Sequence, residues 1–304
     1  MIIQWFPGHM AKTRREIKEH MKLVDVVIEL LDARIPLSSR NPEIDSLVGT
    51  KPRIIALNKS DLSDPEANKR WARYFKSRNM GVIYTDALKG TGLNELKSEL
   101  KEMTRHKAES AALKGRISRP SKTMVVGIPN VGKSAFINKI AGKASAQTGD
   151  RPGVTRTQQW VRINPEIQLL DTPGILWPKF EDAKTGLNLA FTGAIKDEIM
   201  DISELAAKLM ERLAALYPNN LMERYKLSDI KGKSGTAILE EAGRKRGCLV
   251  AGGEVDLNRI AVIVLDEFRG GKIGKITLEN PPKDTAPEVQ NNEEADDKGT
   301  HTEG

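Results

Sequence analysis

The sequence predicts an α/β fold with a mostly parallel sheet, followed by a small all-α domain. Three observations carry this. Up to about Pro178, short β-branched runs alternate with amphipathic stretches, the pattern of strands joined by crossover helices. After Pro178 the strand signals stop and helical spacing takes over. Within the first of these stretches lies a glycine-rich loop, GIPNVGKS at 127–134, set between a strand and a helix. The 304 residues correspond to about two domains.

The strands are expected at 26–31 (VVIELL), 53–57 (RIIAL), 82–84 (VIY), 123–126 (TMVV) and 167–170 (IQLL). Helices are expected between them at 65–78 and 93–107, and at 135–140 after the glycine loop. The later helices are expected at 181–197, 203–216, 235–245 and 256–268. In the second of these, Ala206, Ala207, Leu209, Met210 and Leu213 share one face. Ser203 is placed to cap it and Pro218 to stop it. The domains are therefore read as 1–178, an α/β domain, and 179–280, an all-α domain. The stretch 281–304 is read as a disordered acidic tail, because it has almost no apolar residues.

The net charge of +7 is uneven. The last 24 residues carry a net of −5, so the first 280 carry +12. Such a body is attracted to a polyanion, although solubility charge explains it equally well. A basic stretch at 101–122, with seven Lys/Arg and two Glu, reads as a solvated linker or a phosphate-contacting loop. The one cysteine, Cys248, excludes an intrachain disulfide and fits a reducing, cytoplasmic setting. No run of eighteen apolar residues exists, and the first residues lack the form of a secretory signal, so no membrane association is expected.

The loop at 127–134 matches GxxxxGK[ST]. Its glycines let consecutive N–H groups of Asn130, Val131, Gly132 and Ala135 turn toward phosphates. Lys133 supplies a point charge, Ser134 a hydroxyl for Mg²⁺, and the helix N-terminus its dipole. Thirty-seven residues after Ser134, the sequence LLDTPG places Asp171 at a strand end, where it holds Mg²⁺ directly or through water, and Gly174 where its N–H meets a γ-phosphate. Thr155, or failing it Thr157, is the candidate for the second Mg²⁺ ligand.

The base is read elsewhere. Asn58, Lys59, Ser60 and Asp61 follow the strand RIIAL. The Asp61 carboxylate can accept from N1–H and the 2-amino group of guanine, and adenine offers neither donor. A site built on such bonds discriminates by about 10⁴–10⁵. Lys59 can lie along the base and Asn58 can tie this loop to the phosphate loop. Asp86 and Ala87 follow the strand VIY, placing the Ala87 N–H toward the guanine O6.

These base-reading motifs precede the phosphate loop, whereas in a Ras-like domain they follow it. The chain therefore looks like a circularly permuted Ras-like P-loop GTPase. WFPGHM at 5–10, VVIELLDARIP at 26–36, PNVGKS and PGVTR together resemble the ribosome biogenesis GTPase A family, bacterial factors for late large-subunit assembly. The resemblance covers about residues 1–280. It implies GTP binding and Mg²⁺-dependent hydrolysis stimulated by the large (50S) ribosomal subunit. The expected partners are GTP, GDP, rRNA and ribosomal proteins, with a monomer off the ribosome. The competing expectations are a GTPase acting on another RNA such as tRNA, one at a membrane surface, and a metabolic P-loop kinase or ATPase, which NKSD opposes.

Two departures from the Ras pattern bear on mechanism. Ile175 stands where Ras-type proteins have the water-orienting Gln, so unaided turnover is expected at about 10⁻⁴–10⁻³ s⁻¹. Asn130 resembles the asparagine of GTPases that hold K⁺ beside the phosphates, or it simply suits a tight turn. His9, after Pro7-Gly8, is the candidate to position the attacking water. The alternative is a surface histidine beside a hydrophobic clasp of Trp5 and Phe6. Basic groups at Arg244, Lys245, Arg246, Lys272 and Lys275 are expected to face rRNA phosphates.

Overall fold

A computed structural model describes residues 10–113, 119–142, 159–172, 182–195, 197 and 200–282. The strands are β1 (Val26–Asp32), β2 (Arg53–Asn58), β3 (Gly81–Tyr84), β4 (Ser121–Val126), β5 (Gln159–Arg162) and β6 (Ile167–Asp171). They form one sheet in the order β3-β2-β1-β4-β6-β5. All neighbours are parallel except the β5–β6 pair. Every residue of the central strand β1 is buried, as expected for a strand covered on both faces. From β1 the chain winds outward through β2 and β3, and from β4 it winds the other way. The switch point, where α/β folds bind ligands, therefore lies at the carboxyl ends of β1 and β4.

The helices of this part are α1 (Met10–Met21), α2 (Ile44–Val48), α3 (Pro65–Lys76), α4 (Leu93–Leu113) and α5 (Lys133–Ala141). Asp64 caps α3 by accepting from the N–H groups of Glu66 and Ala67, with Pro65 in the first turn where no N–H is needed. Trp71 and Phe75, one turn apart, stack with ring centroids 5.7 Å apart. They pack with Ile55, Leu57 and Leu31. Full burial of an aromatic ring of this kind contributes about 2 kcal/mol.

The second part comprises α6 (Ala183–Phe191), α7 (Ile202–Leu216), α8 (Pro218–Tyr225), α9 (Gly235–Lys245) and α10 (Leu257–Arg269). Asp182, Asp201, Ser234 and Asp256 cap α6, α7, α9 and α10. Ser203 is thus not the cap of α7; it lies inside the helix and donates to Asn258. α7 ends at Leu216, just before Pro218, as expected, and Pro218 then opens a further helix, α8, because a proline at the first helical position loses no hydrogen bond. The helix expected over 181–197 stops at Phe191, where Thr192 and the left-handed Gly193 (φ 75°) turn the chain.

The end of the all-α region also differs. Beyond α10 the chain runs back across the α/β part. Ile276 N–H donates to Leu62 O, and Leu278 N–H to Arg34 O. Trp71 Nε1 donates to Glu279 O. The Glu279 carboxylate accepts from Leu37 N, Ser38 N, the Ser38 hydroxyl and Asn188 Nδ2, locking this strap between both parts. One apolar cluster runs continuously from Ile28, Val125 and Phe136 to Leu189, Leu209 and Val264. Among the described residues no helix is long and apolar enough to cross a membrane.

Candidate nucleotide-binding site

The strand register brings the predicted motifs to one edge of the sheet. Asp32 pairs with Asn58 across β1 and β2, and Val125 with Asp171 across β4 and β6. The loops that follow these strands therefore open on the same side. Asn58 joins three of them. Its Nδ2 donates to Val131 O at 2.7 Å, and its Oδ1 accepts from Ala87 N at 3.0 Å and Thr85 Oγ1 at 3.2 Å. Lys59, in a left-handed turn (φ 59°), donates to Asn130 O at 2.9 Å. Ser60 binds Thr85 O through its N–H and its hydroxyl.

Two glycines of the phosphate loop are required by close approach. A Cβ on Gly127 would meet Leu30 O at 2.8 Å. One on Gly132, which is left-handed at φ 98°, would meet Asn58 Nδ2 at 2.6 Å. Gly132 also opens α5 with no side-chain cap, which leaves the helix N-terminus to an anion. Lys133 is buried there. Burial pushes its ammonium below the usual lysine range, against the pull of Asp171. Asp171 is fully buried, and burial raises its carboxyl against the opposing effect of Lys133. Neither Asp171 oxygen has a hydrogen-bond partner among the described residues. Two orphaned carboxylate oxygens facing the charge of Lys133, with the Ser134 hydroxyl on the next residue, form a hard-oxygen donor set that fits Mg²⁺.

Three details differ from the sequence expectations or add to them. The Ala87 N–H is already given to Asn58 Oδ1, so a guanine O6 would share it rather than find it free. Asp86 turns inward and accepts from Leu88 N and Lys89 N, making it a shaper of its own loop. Asn130, at φ 55°, donates its Nδ2 to Gly193 O at 2.7 Å, and an amide nitrogen does not ligate a cation, so any K⁺ contact of this side chain would be through Oδ1. Asp61 meets Lys89 at 3.2 Å on the rim. His9, Thr155, Thr157, Gly174 and Ile175 lie outside the described residues.

Sequence motifs gave no role to Asp32 and Arg34. Asp32 lies 2.8 Å from Arg34 and 3.1 Å from Lys59, beside the base-reading loop. The sequence signal was an acidic–basic pair at the end of a largely apolar strand, where charges are rarely buried unless paired. The basic groups proposed for rRNA also separate. Arg244, Lys245, Lys272 and Lys275 are exposed. Arg246, also exposed, is in addition paired with Glu267 at 2.9 Å and lies over the Tyr225 ring.

A cluster of loops at the switch point of a mostly parallel sheet, with base-reading loops preceding the phosphate loop in the chain, defines a circularly permuted P-loop GTPase. Comparison with known proteins agrees. Residues 122–249 match the family model described as 50S ribosome-binding GTPase. Ribosome biogenesis GTPase A of Bacillus cereus is 49% identical over 281 residues, covering 92% of this chain and 95% of that protein. The protein of the same name from Thermotoga maritima is 30% identical over 282 residues, covering 92% and 95%. The structure of GNP-bound YlqF from T. maritima superposes with a TM-score of 0.64 at 27% identity, covering 90% of this chain and 99% of that one. The chain belongs to the ribosome biogenesis GTPase A family and is a GTPase of ribosome biogenesis.

Proposed function

We propose that the chain is a Mg²⁺-dependent GTP switch acting in late assembly of the large ribosomal subunit. The observation that carries the reading is the Asn58 side chain, which fastens the base-reading loops at 58–61 and 85–87 to the phosphate loop. In this reading Asp61 accepts from guanine, and Lys133 and the α5 N-terminus hold the phosphates. Ser134 and Asp171, with Thr155, hold Mg²⁺, which supplies charge neutralisation between the β- and γ-phosphates. Gly174 meets the γ-phosphate and His9 positions the attacking water. Potassium at Asn130 Oδ1 is an additional charge in the same place.

The switch needs a path from the phosphates to the helical part, read as residues 179–280. The Asn130–Gly193 bond supports one, because it joins the phosphate loop to the turn after α6. Exposed Arg244, Lys245, Lys272 and Lys275 support contact with rRNA phosphates.

The test is single-turnover hydrolysis with and without purified large subunits, alongside pelleting in GTP-analogue and GDP states. Tighter pelleting with the analogue and a stimulation of about 10²-fold or more are expected. Identical pelleting and no stimulation would leave only a slow, free-standing GTPase. In the same assay His9→Ala should lower the stimulated rate about 10²-fold while nucleotide affinity holds. A parallel loss of affinity would make His9 structural.

A further inference from the structure

Asp32 and Arg34 are among the most deeply buried charges in the protein, with side chains 2% and 1% exposed. Their geometry is bidentate. Arg34 Nε donates to Asp32 Oδ1 at 2.9 Å and Nη2 to Oδ2 at 2.8 Å, while Arg34 N also donates to Oδ1. The pair does not stand alone. Asp32 Oδ2 is 3.1 Å from Lys59 Nζ, which in turn donates to Asn130 O in the phosphate loop. On its far side Arg34 Nη1 donates to Arg269 O at 3.2 Å and approaches Phe268 O at 3.5 Å. Its guanidinium lies 5.3 Å from the Phe268 ring centroid. These carbonyls belong to the last turn of α10, where a helix favours a cation.

Stability alone is a poor account of such a pair. Two charges buried together seldom hold a fold better than apolar residues of similar size. What the pair does provide is position. A lysine with four methylenes loses much of its rotamer freedom when fixed. Asp32 fixes Lys59 before any nucleotide arrives. Burial alone would raise the Asp32 carboxyl, but the charges of Arg34 and Lys59 and the Arg34 hydrogen bonds outweigh it and hold it well below the usual carboxylate range. It therefore remains an anion for Lys59 throughout the neutral range.

We propose that Asp32 and Arg34 are positioning residues for the guanine-nucleotide site: Asp32 fixes the Lys59 ammonium against the phosphate loop, and Arg34 ties that arrangement to the end of α10. A displacement of α10 on its partner is then felt at Lys59 through two buried side chains. This rests on the reading of Lys59 as a nucleotide-site residue.

The experiment is a set of double-mutant cycles on affinity for a fluorescent GDP analogue, using the full chain. Asp32→Asn leaves Arg34 buried and poorly paired and is liable to unfold, so the working variant is Asp32→Asn/Arg34→Gln, which removes both charges at similar size. It should weaken binding of the analogue about tenfold, the size of a typical coupling between contacting groups. In a Lys59→Met background the same change should cost less than about twofold, because the lysine it positions is gone. Phe268→Leu, which removes the ring beside the guanidinium, should give a smaller loss of about threefold that likewise vanishes with Lys59→Met. The hydrolysis rate at saturating GTP should hold in Phe268→Leu, which lies outside the nucleotide site.

Equal losses in the two backgrounds would assign the pair a structural role and overturn the proposal, as would no loss from the double variant in the otherwise wild-type chain. No effect of Phe268→Leu would overturn the link to α10. If Lys59→Met itself leaves affinity unchanged, the underlying reading of the site fails instead.

Discussion

Asp61 is held by one exposed partner, Lys89, at 3.2 Å, while Asn58 beside it is buried with three bonds. The contrast separates a residue that shapes the site from one available to read a base. Lys89 is 70% exposed and can leave Asp61 at little cost, since surface pairs contribute about 0–1 kcal/mol. Asp61→Asn should therefore lower GTP affinity and raise XTP affinity, because xanthine carries a carbonyl where guanine carries an amine. Competition binding with the two triphosphates measures it, and unchanged GTP affinity would remove Asp61 from base reading. At this scale the motifs were legible because each demands an unusual residue: Gly132 cannot carry a Cβ beside Asn58 Nδ2. The shared Ala87 N–H and the Asp32–Arg34 pair were not legible, because both depend on which loops meet in space.

At the scale of elements, strands with apolar runs declared themselves, and the helices did so through their spacing. The misses have physical causes. The edge strand β5, QWVR, is short and polar on one side, and is held by pairing with β6 rather than by its own composition. Pro218 carries the same chemistry whether it follows one helix or opens another, so only the packing of α8 decides. The strap after α10 has the apolar residues Ile273, Ile276 and Leu278, but its path is set by backbone bonds to Leu62 and Arg34. Glu279 is its lock, and burial raises its carboxyl while Ser38, Leu37 and Asn188 donate to it. Glu279→Ala removes the acceptor from these donors inside the protein. Leaving such donors unsatisfied costs about 1–3 kcal/mol each, so a stability loss of about 3 kcal/mol is expected, relief by water included. Denaturant unfolding tests it; a change under about 1 kcal/mol would mean that the strap is held by its apolar residues alone.

For the whole molecule, the permuted order was legible because motif order survives in the sequence whatever the fold does. The coupling between its two parts was not. In the sequence, residues 175–178 lead from Gly174 directly toward the helical part. Among the described residues the structure offers a different path, from Asn130 Nδ2 to Gly193 O, with the Gly193 turn lying against Arg269. Arg269 in turn donates to Ala190 O and Phe191 O and pairs with Asp197 at 2.7 Å, so the turn after α6 is braced from α10. The phosphate loop is thereby bonded to a turn that α10 braces.

Asn130→Ala removes that bond and also the Oδ1 atom proposed for K⁺, so one assay must separate the two roles. If the amide transmits the nucleotide state, the variant should bind large subunits with nearly equal affinity in GTP-analogue and GDP states. The wild type should keep a difference of about 5–150-fold, the usual span of an allosteric coupling. If Oδ1 holds K⁺, the variant should lose any difference between hydrolysis in K⁺ and in Na⁺, measured without subunits. Pelleting should be run across a salt series, since rRNA contact predicts affinity falling steeply with salt in both proteins. A variant that keeps the wild-type difference in subunit affinity would place the signal outside the Asn130–Gly193 bond and return it to the chain after Gly174.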